Sequence, residues 1–183
     1  MCKRFLFVLL SFVLTCSLSL SFASEEDLSF TPSLEHLDLR GKARFKWFIF
    51  EVFNASFYTE HKVDSFEEIF DRAGDVFLEL TYSRAIPAED FISSSEKSLN
   101  QNKNLNRNAI EDHLNRLYSV YEDVEAGEKY ALFYFASTES TCLFKNGVKK
   151  VCLGGKDFAK AYFGIWLSRY SVDDKFSRKL LGS

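Results

Sequence analysis

GGKDFAKAYFGIWLS, residues 154–168, is the stretch whose reading decides the fold. After two glycines, apolar residues recur at helical spacing, among them Phe158, Tyr162, Phe163, Ile165 and Trp166. This predicts a helix carrying a single Trp, and Trp166 is expected to be core rather than site, because such a ring buries a large apolar area. A short break follows. VDDKFSRKLLG, residues 172–182, then reads as a second helix ending at Gly182, where a glycine can close the last turn. Just upstream, Asn146-Gly147 between two apolar runs is a strong hairpin signal. The chain thus closes with a hairpin followed by two helices.

The same alternation of strands and helices extends back towards the N-terminus. Residues 44–58 form a long β-type run, RFKWFIFEVFNASFY, in which Lys46 and Glu51 are the only charges after Arg44. Aromatic and β-branched residues fall on both faces, which predicts one strand sheltered on both sides. Ser65 and Glu68 stand at capping-box spacing and predict a short helix over 64–72. Val76, Leu78, Leu80 and Tyr82 alternate with polar residues, so a second strand runs to about Arg84. Pro87 can start a helix whose apolar face carries Phe91, Ile92, Ser95 and Leu99. After an Asn-rich connector, 100–108, Asn108 can cap a helix with Ile110, Leu114, Leu117, Tyr118 and Tyr121 on one face. Tyr130 to Phe135 reads as another strand. Strands, helices, strands and helices in that order predict an α+β fold, an antiparallel sheet with helices packed on it.

Residues 1–23 read as a secretory signal peptide. Lys3 and Arg4 precede an apolar run, and Ser21-Phe22-Ala23 ends it with small residues at the cleavage positions. The alternative is a retained anchor, since the run approaches the ~18 residues a spanning helix needs. Cleavage leaves no membrane span and places the mature protein in the periplasm or outside the cell. Residues 24–37 are a polar lead-in and 38–183 a single domain. The full chain has 23 basic and 26 acidic residues; losing Lys3 and Arg4 leaves 21 and 26, a net charge of −5. That balance excludes a nucleic-acid partner, which needs a basic face. Of 20 Phe, four lie in the signal peptide, and the 16 that remain imply either a Phe-built core or a wide apolar cavity lined with rings. His36, His61 and His113 are scattered and no cysteine lies near them, so no metal site is expected. Phosphate-binding loops and nucleophile elbows are absent, and no cofactor is expected.

Two blocks carry a resemblance. Asn146-Gly147, Gly155, Asp157-Phe158-Ala159, Phe163-Gly164-Ile165-Trp166-Leu167, Val172-Asp173 and Leu180-Leu181-Gly182 resemble the closing segment of the chalcone-isomerase-like family. Gly41, Arg44, Ser56, Phe57 and Tyr58 resemble its earlier Gly-x-x-Arg and small-x-Tyr strand. The resemblance implies a curved antiparallel sheet with a helical layer over one face, an open-faced sandwich. It implies that Arg44, with Arg40 as rival, points into the cleft between sheet and helices. There a guanidinium would hold a flavonoid anion in the plant enzymes or a carboxylate in the fatty-acid-binding relatives. Trp47, Phe53 and Phe57 would line the tail site. The enzymes also use a Thr five residues before the strand-ending Tyr and a Tyr on a helix. Phe53 occupies the Thr position here, and only Tyr118 and Tyr121 match the second. A Phe cannot hydrogen-bond a ketone, so the catalytic set is incomplete. The expected function is an exported, non-catalytic binder of a fatty acid or similar lipophilic anion. Two alternatives stay open: an isomerase (an intramolecular lyase acting on a chalcone-like enone), and a structural or assembly partner with no small ligand.

Cys142 and Cys152 form an even pair in an exported chain, which suits a disulfide. Register is the obstacle. With a two-residue turn at Asn146-Gly147, Lys145 pairs with Val148 and Cys142 faces Val151, leaving Cys152 on the opposite sheet face. The bond needs a three-residue loop or a bulge close to the turn.

Overall fold

The structure, a computed structural model, describes residues 32–171 and 173–182. The expected signal peptide, residues 1–23, lies outside the described residues, as do 24–31 of the lead-in. Six strands form one antiparallel sheet in which each pairs with the next in the chain: β1 (Asp38–Trp47), β2 (Phe50–Thr59), β3 (Val76–Tyr82), β4 (Lys129–Phe135), β5 (Ser140–Lys145) and β6 (Val148–Gly154). Five helices accompany them: α1 (Ile69–Arg72), α2 (Ala88–Gln101), α3 (Glu111–Tyr118), α4 (Lys156–Leu167) and α5 (Asp174–Leu181). This is the α+β sheet-and-helix architecture expected from the sequence.

The helix over 154–168 forms where predicted, and α4 is its product. All its residues from Phe158 to Leu167 except Lys160 are buried. A helix that is apolar all round must be covered all round. The sheet lies on one side of α4, while α1, α2 and α5 pack around the rest. α5 begins where the side chain of Asp173 accepts a 2.6 Å hydrogen bond from the Phe176 N–H. It ends at Gly182, in the left-handed region. Its last turn rests directly on β1 at Gly41. A Cβ there would lie 2.0 Å from the Lys179 carbonyl oxygen, so no larger residue fits.

Residues 44–58 are a correction. They do not form one strand but two arms of a hairpin, β1 and β2, with Phe48-Ile49 as a two-residue turn and Trp47 paired to Phe50. Phe48 takes φ 56°, a left-handed conformation that bulky residues rarely adopt. No Gly, Asn or Asp marks this turn, which is why the sequence pattern runs through it unbroken. Nor are both faces sheltered: Ala43, Phe53 and Ala55 are buried, but Lys42, Arg44 and Asn54 are exposed on the reverse face. Further along, that reverse face does carry a small apolar cluster, Phe77, Phe133, Cys142 and Phe144, with Leu34 and Leu37 of the lead-in packed on it.

Smaller differences have simple causes. Ser65 makes no side-chain cap, and residues 66–68 form a tighter 3₁₀ turn before α1. Pro87 stands at the N-cap of α2, and Asp123 supplies the missing cap by accepting the Ala88 N–H at 2.8 Å. α3 starts at Glu111 and ends at Tyr118, so Tyr121 lies beyond it.

Candidate functional site

Between the sheet and α2 lies a cleft of about 660 Å³. Phe45, Phe53, Leu80, Tyr82 and Leu132 form its floor, from β1 to β4. Phe91, Ser94, Ser95 and Ser98 of α2 and Ile165 and Trp166 of α4 form the opposite wall. β2 carries an extra residue opposite the Phe45–Lys46 step of β1, and so presents Val52 and Phe53 in succession to this space. Trp47, Arg84, Pro87, Asp90, Lys97 and Gln101, exposed residues of the same lining, form the rim.

The interior is apolar with a few neutral hydroxyls. Behind the lining, the fully buried Tyr162 shares a hydrogen bond with Tyr121 and lies 3.4 Å from Ser95 Oγ. Burial pushes the Tyr162 hydroxyl up to about 12, and raises Tyr82 and Tyr121 well above the ordinary tyrosine range. These groups stay protonated at neutral pH. They can donate or accept a hydrogen bond but cannot serve as a base. Tyr118 is turned to other work. It donates at 2.7 Å to Glu96, whose carboxylate is also held by Arg107 through two bonds of 2.6 and 2.8 Å. Arg107 keeps the Glu96 carboxyl below its usual range. Charge able to meet a ligand is therefore confined to the rim, at Arg84, Lys97 and Asp90.

The expected binding residues divide. Phe53 is on the floor, 9 % exposed, stacked on Phe45 with centroids 5.1 Å apart. Trp47 stands at the rim. Phe57 shares the face of Phe53 but is 1 % exposed, packed in the core four residues beyond it and outside the cleft. Arg44 is a correction. Strand alternation puts Ala43 and Phe45 towards the helices and Arg44 away from them. Its guanidinium binds Glu51 Oε2 at 3.0 Å and Asn54 Oδ1 at 3.2 Å, both outside the cleft. Arg40 does not line the cleft either. The sequence reading also set Trp166 aside as core alone. It is 9 % exposed and is both core and cleft wall. Lys97 and Gln101 were missed altogether. The available signal was Ser95 among the apolar residues Phe91, Ile92 and Leu99 of α2, a polar residue that lines the same space as Phe91.

Cys142 and Cys152 are joined by a disulfide. The turn at Asn146-Gly147 has two residues, with Lys145 opposite Val148, and an irregularity follows. Phe144 pairs with Lys149 but Leu143 with Val151, so Lys150 is the extra residue and Cys142 comes opposite Cys152. Turn and bulge coexist.

The family model described as chalcone isomerase-like matches residues 25–182. The chain belongs to that family. No curated protein matches its sequence. Among solved structures, this chalcone isomerase-like chain is similar to the crystal structure of an Arabidopsis thaliana fatty-acid binding protein. The TM-score is 0.59 at 9 % identity, over 83 % of this chain and 90 % of that one. At that identity the likeness shows the shared fold.

Proposed function

We propose that this chain is an exported, non-catalytic binding protein that holds a fatty acid or similar lipophilic anion in the cleft. The observation that carries the reading is the distribution of polarity. The cleft has the volume of a small-molecule site, its walls are rings and aliphatic chains, and its cations stand only at the rim. An amphiphile fits such a site with its tail on Phe45, Phe53, Leu132 and Trp166 and its charged end beside Arg84 and Lys97. The solved fatty-acid binding protein of this fold agrees with that choice of ligand. Against catalysis, Phe53 lies on the floor where the family resemblance asks for a hydroxyl.

Titration with a fluorescent long-chain fatty acid tests this. Arg84→Ala with Lys97→Ala is expected to weaken binding about tenfold, or ~1.4 kcal/mol, by removing the charge-assisted contacts. Arg44→Ala is expected to leave affinity unchanged, because Arg44 faces the other side of the sheet. No saturable binding by the wild type would overturn the proposal. Saturable cyclisation of a chalcone would replace it with the isomerase reading.

A further inference from the structure

The least buried large apolar residues of the described chain are consecutive. Trp47 is 60 % exposed, Phe48 85 %, Ile49 82 % and Phe50 59 %. They are the tip of the β1–β2 hairpin. Isolated exposed apolar residues are ordinary, but four in a row at the end of a projecting hairpin are not. The local chemistry makes the choice costlier. A two-residue hairpin turn favours Asn-Gly or Asp-Gly, whereas this one uses Phe48 in a left-handed conformation and Ile49. A break in local rules with no gain in folding points to a use outside the fold.

Behind the tip the hairpin is braced. Glu51 accepts from Asn54 at 2.6 Å and from Ser83 at 3.0 Å, and pairs with Arg44. The base of the tip is therefore fixed, while its own side chains stay exposed. It is also continuous with the cleft, since Trp47 belongs to both. The charged residues around tip and rim are four cations, Arg44, Lys46, Arg84 and Lys97, against two carboxylates, Glu51 and Asp90. This local excess of positive charge sits on a chain whose net charge is −3.

We infer that the hairpin tip docks on an anionic lipid surface, with Trp47, Phe48, Ile49 and Phe50 seated at the headgroup–acyl boundary and the cleft mouth facing the lipid. Trp suits that boundary because its ring is apolar and its N–H is not. Flanking cations add attraction to anionic headgroups. The docking rests on the tip alone. The reading of the cleft as a lipid site gives it a purpose, since an amphiphile could pass between bilayer and cleft along Trp47. The two ideas can fail separately.

The test uses protein expressed from the full chain and vesicles of equal parts phosphatidylcholine and phosphatidylglycerol. Trp47 emission should shift to the blue on vesicle addition and be quenched by bromine-labelled lipid, with Trp47→Phe supplying the Trp166 background. Phosphatidylcholine alone should give a weaker response. Phe48→Asn with Ile49→Gly builds a favoured turn, so it should fold and lose vesicle affinity about tenfold. Fatty-acid titration without vesicles should be unaffected by that change, which separates docking from cleft binding. A Trp47 signal indifferent to vesicles overturns the inference. So does a signal already blue before they are added, which would mean that the chain itself covers the tip. A concentration-dependent dimer in sedimentation, lost in the double variant, would assign the tip to a second copy instead.

Discussion

The hairpin of β1 and β2 and the hairpin of β5 and β6 solve the same problem with opposite chemistry. Both reverse an antiparallel pair in two residues. At Asn146-Gly147 the backbone is left-handed at both positions, φ 51° and 84°, which those residues adopt readily. The arms are tied by a disulfide, and Cys142, Leu143 and Phe144 are buried. At Phe48-Ile49 the turn residues are bulky and apolar, no covalent tie exists, and four side chains stand in solvent. Where selection acts only on folding, turn, register and burial agree. Where they disagree, the residues serve something the fold does not contain. The β1–β2 hairpin is well built at its other end, where Gly41 lets α5 press on the strand.

That anchored end offers the strongest way to break the comparison. Gly41→Ala places a Cβ 2.0 Å from a backbone oxygen of α5. Backbone cannot give way as a flexible side chain can, so the cost should be about 3 kcal/mol, at the top of the overpacking range. Chemical denaturation measures it. A loss below about 0.5 kcal/mol would mean that α5 is not tied to β1. The hairpin would then be loose at both ends.

The disulfide comes next. Cys142→Ala with Cys152→Ala should lower stability by about 2 kcal/mol, the low end for disulfides because the closed loop is short. Vesicle and fatty-acid binding should not change, because Cys142 packs with Phe77 and Phe133 on the sheet face away from the cleft. Thiol counting on denatured, unreduced protein checks that the bond forms. A loss of ligand affinity in this variant would show that the two hairpins are coupled and the division between them false.

What the sequence made legible follows the same line. The Asn146-Gly147 hairpin, α4 and α5 were readable because local signals and burial coincide: a turn pair, a helical apolar period, a terminal Gly182. Even the bulge that brings Cys142 opposite Cys152 followed from counting register, though the count alone left a longer loop open. The β1–β2 hairpin was not readable, because its turn carries none of the residues that mark turns. Arg44 was placed in the cleft by the resemblance, and the missed turn left nothing in the strand pattern to correct it. A single strand sheltered on both faces hides the question of which face is the cleft, and alternation from Ala43 answers it against Arg44. The wall made by α2 was half visible, through Phe91 and Ser95, but its rim cation Lys97 looks like any solvated helical residue. Which exposed charges share a cleft is a fact of packing between distant elements, and no local pattern encodes it.

The smallest expected effect sharpens the comparison most. Grafting the β5–β6 turn onto β1–β2, by Phe48→Asn and Ile49→Gly, should raise stability by ~0.5 kcal/mol. Asn adopts the left-handed conformation more readily than Phe. Part of that gain is offset, because Gly loses more backbone freedom on folding than Ile. The side chains of Phe48 and Ile49, 85 % and 82 % exposed, contribute little burial that could be lost. Thermal unfolding should therefore show a slightly higher midpoint in the variant. A lower midpoint would mean that Phe48 and Ile49 stabilise the fold after all, through contacts made in solution, and the tip would then be ordinary core that happens to lie at an edge. A higher midpoint means that the native turn is retained at a cost to stability, which is what a surface kept for a partner requires.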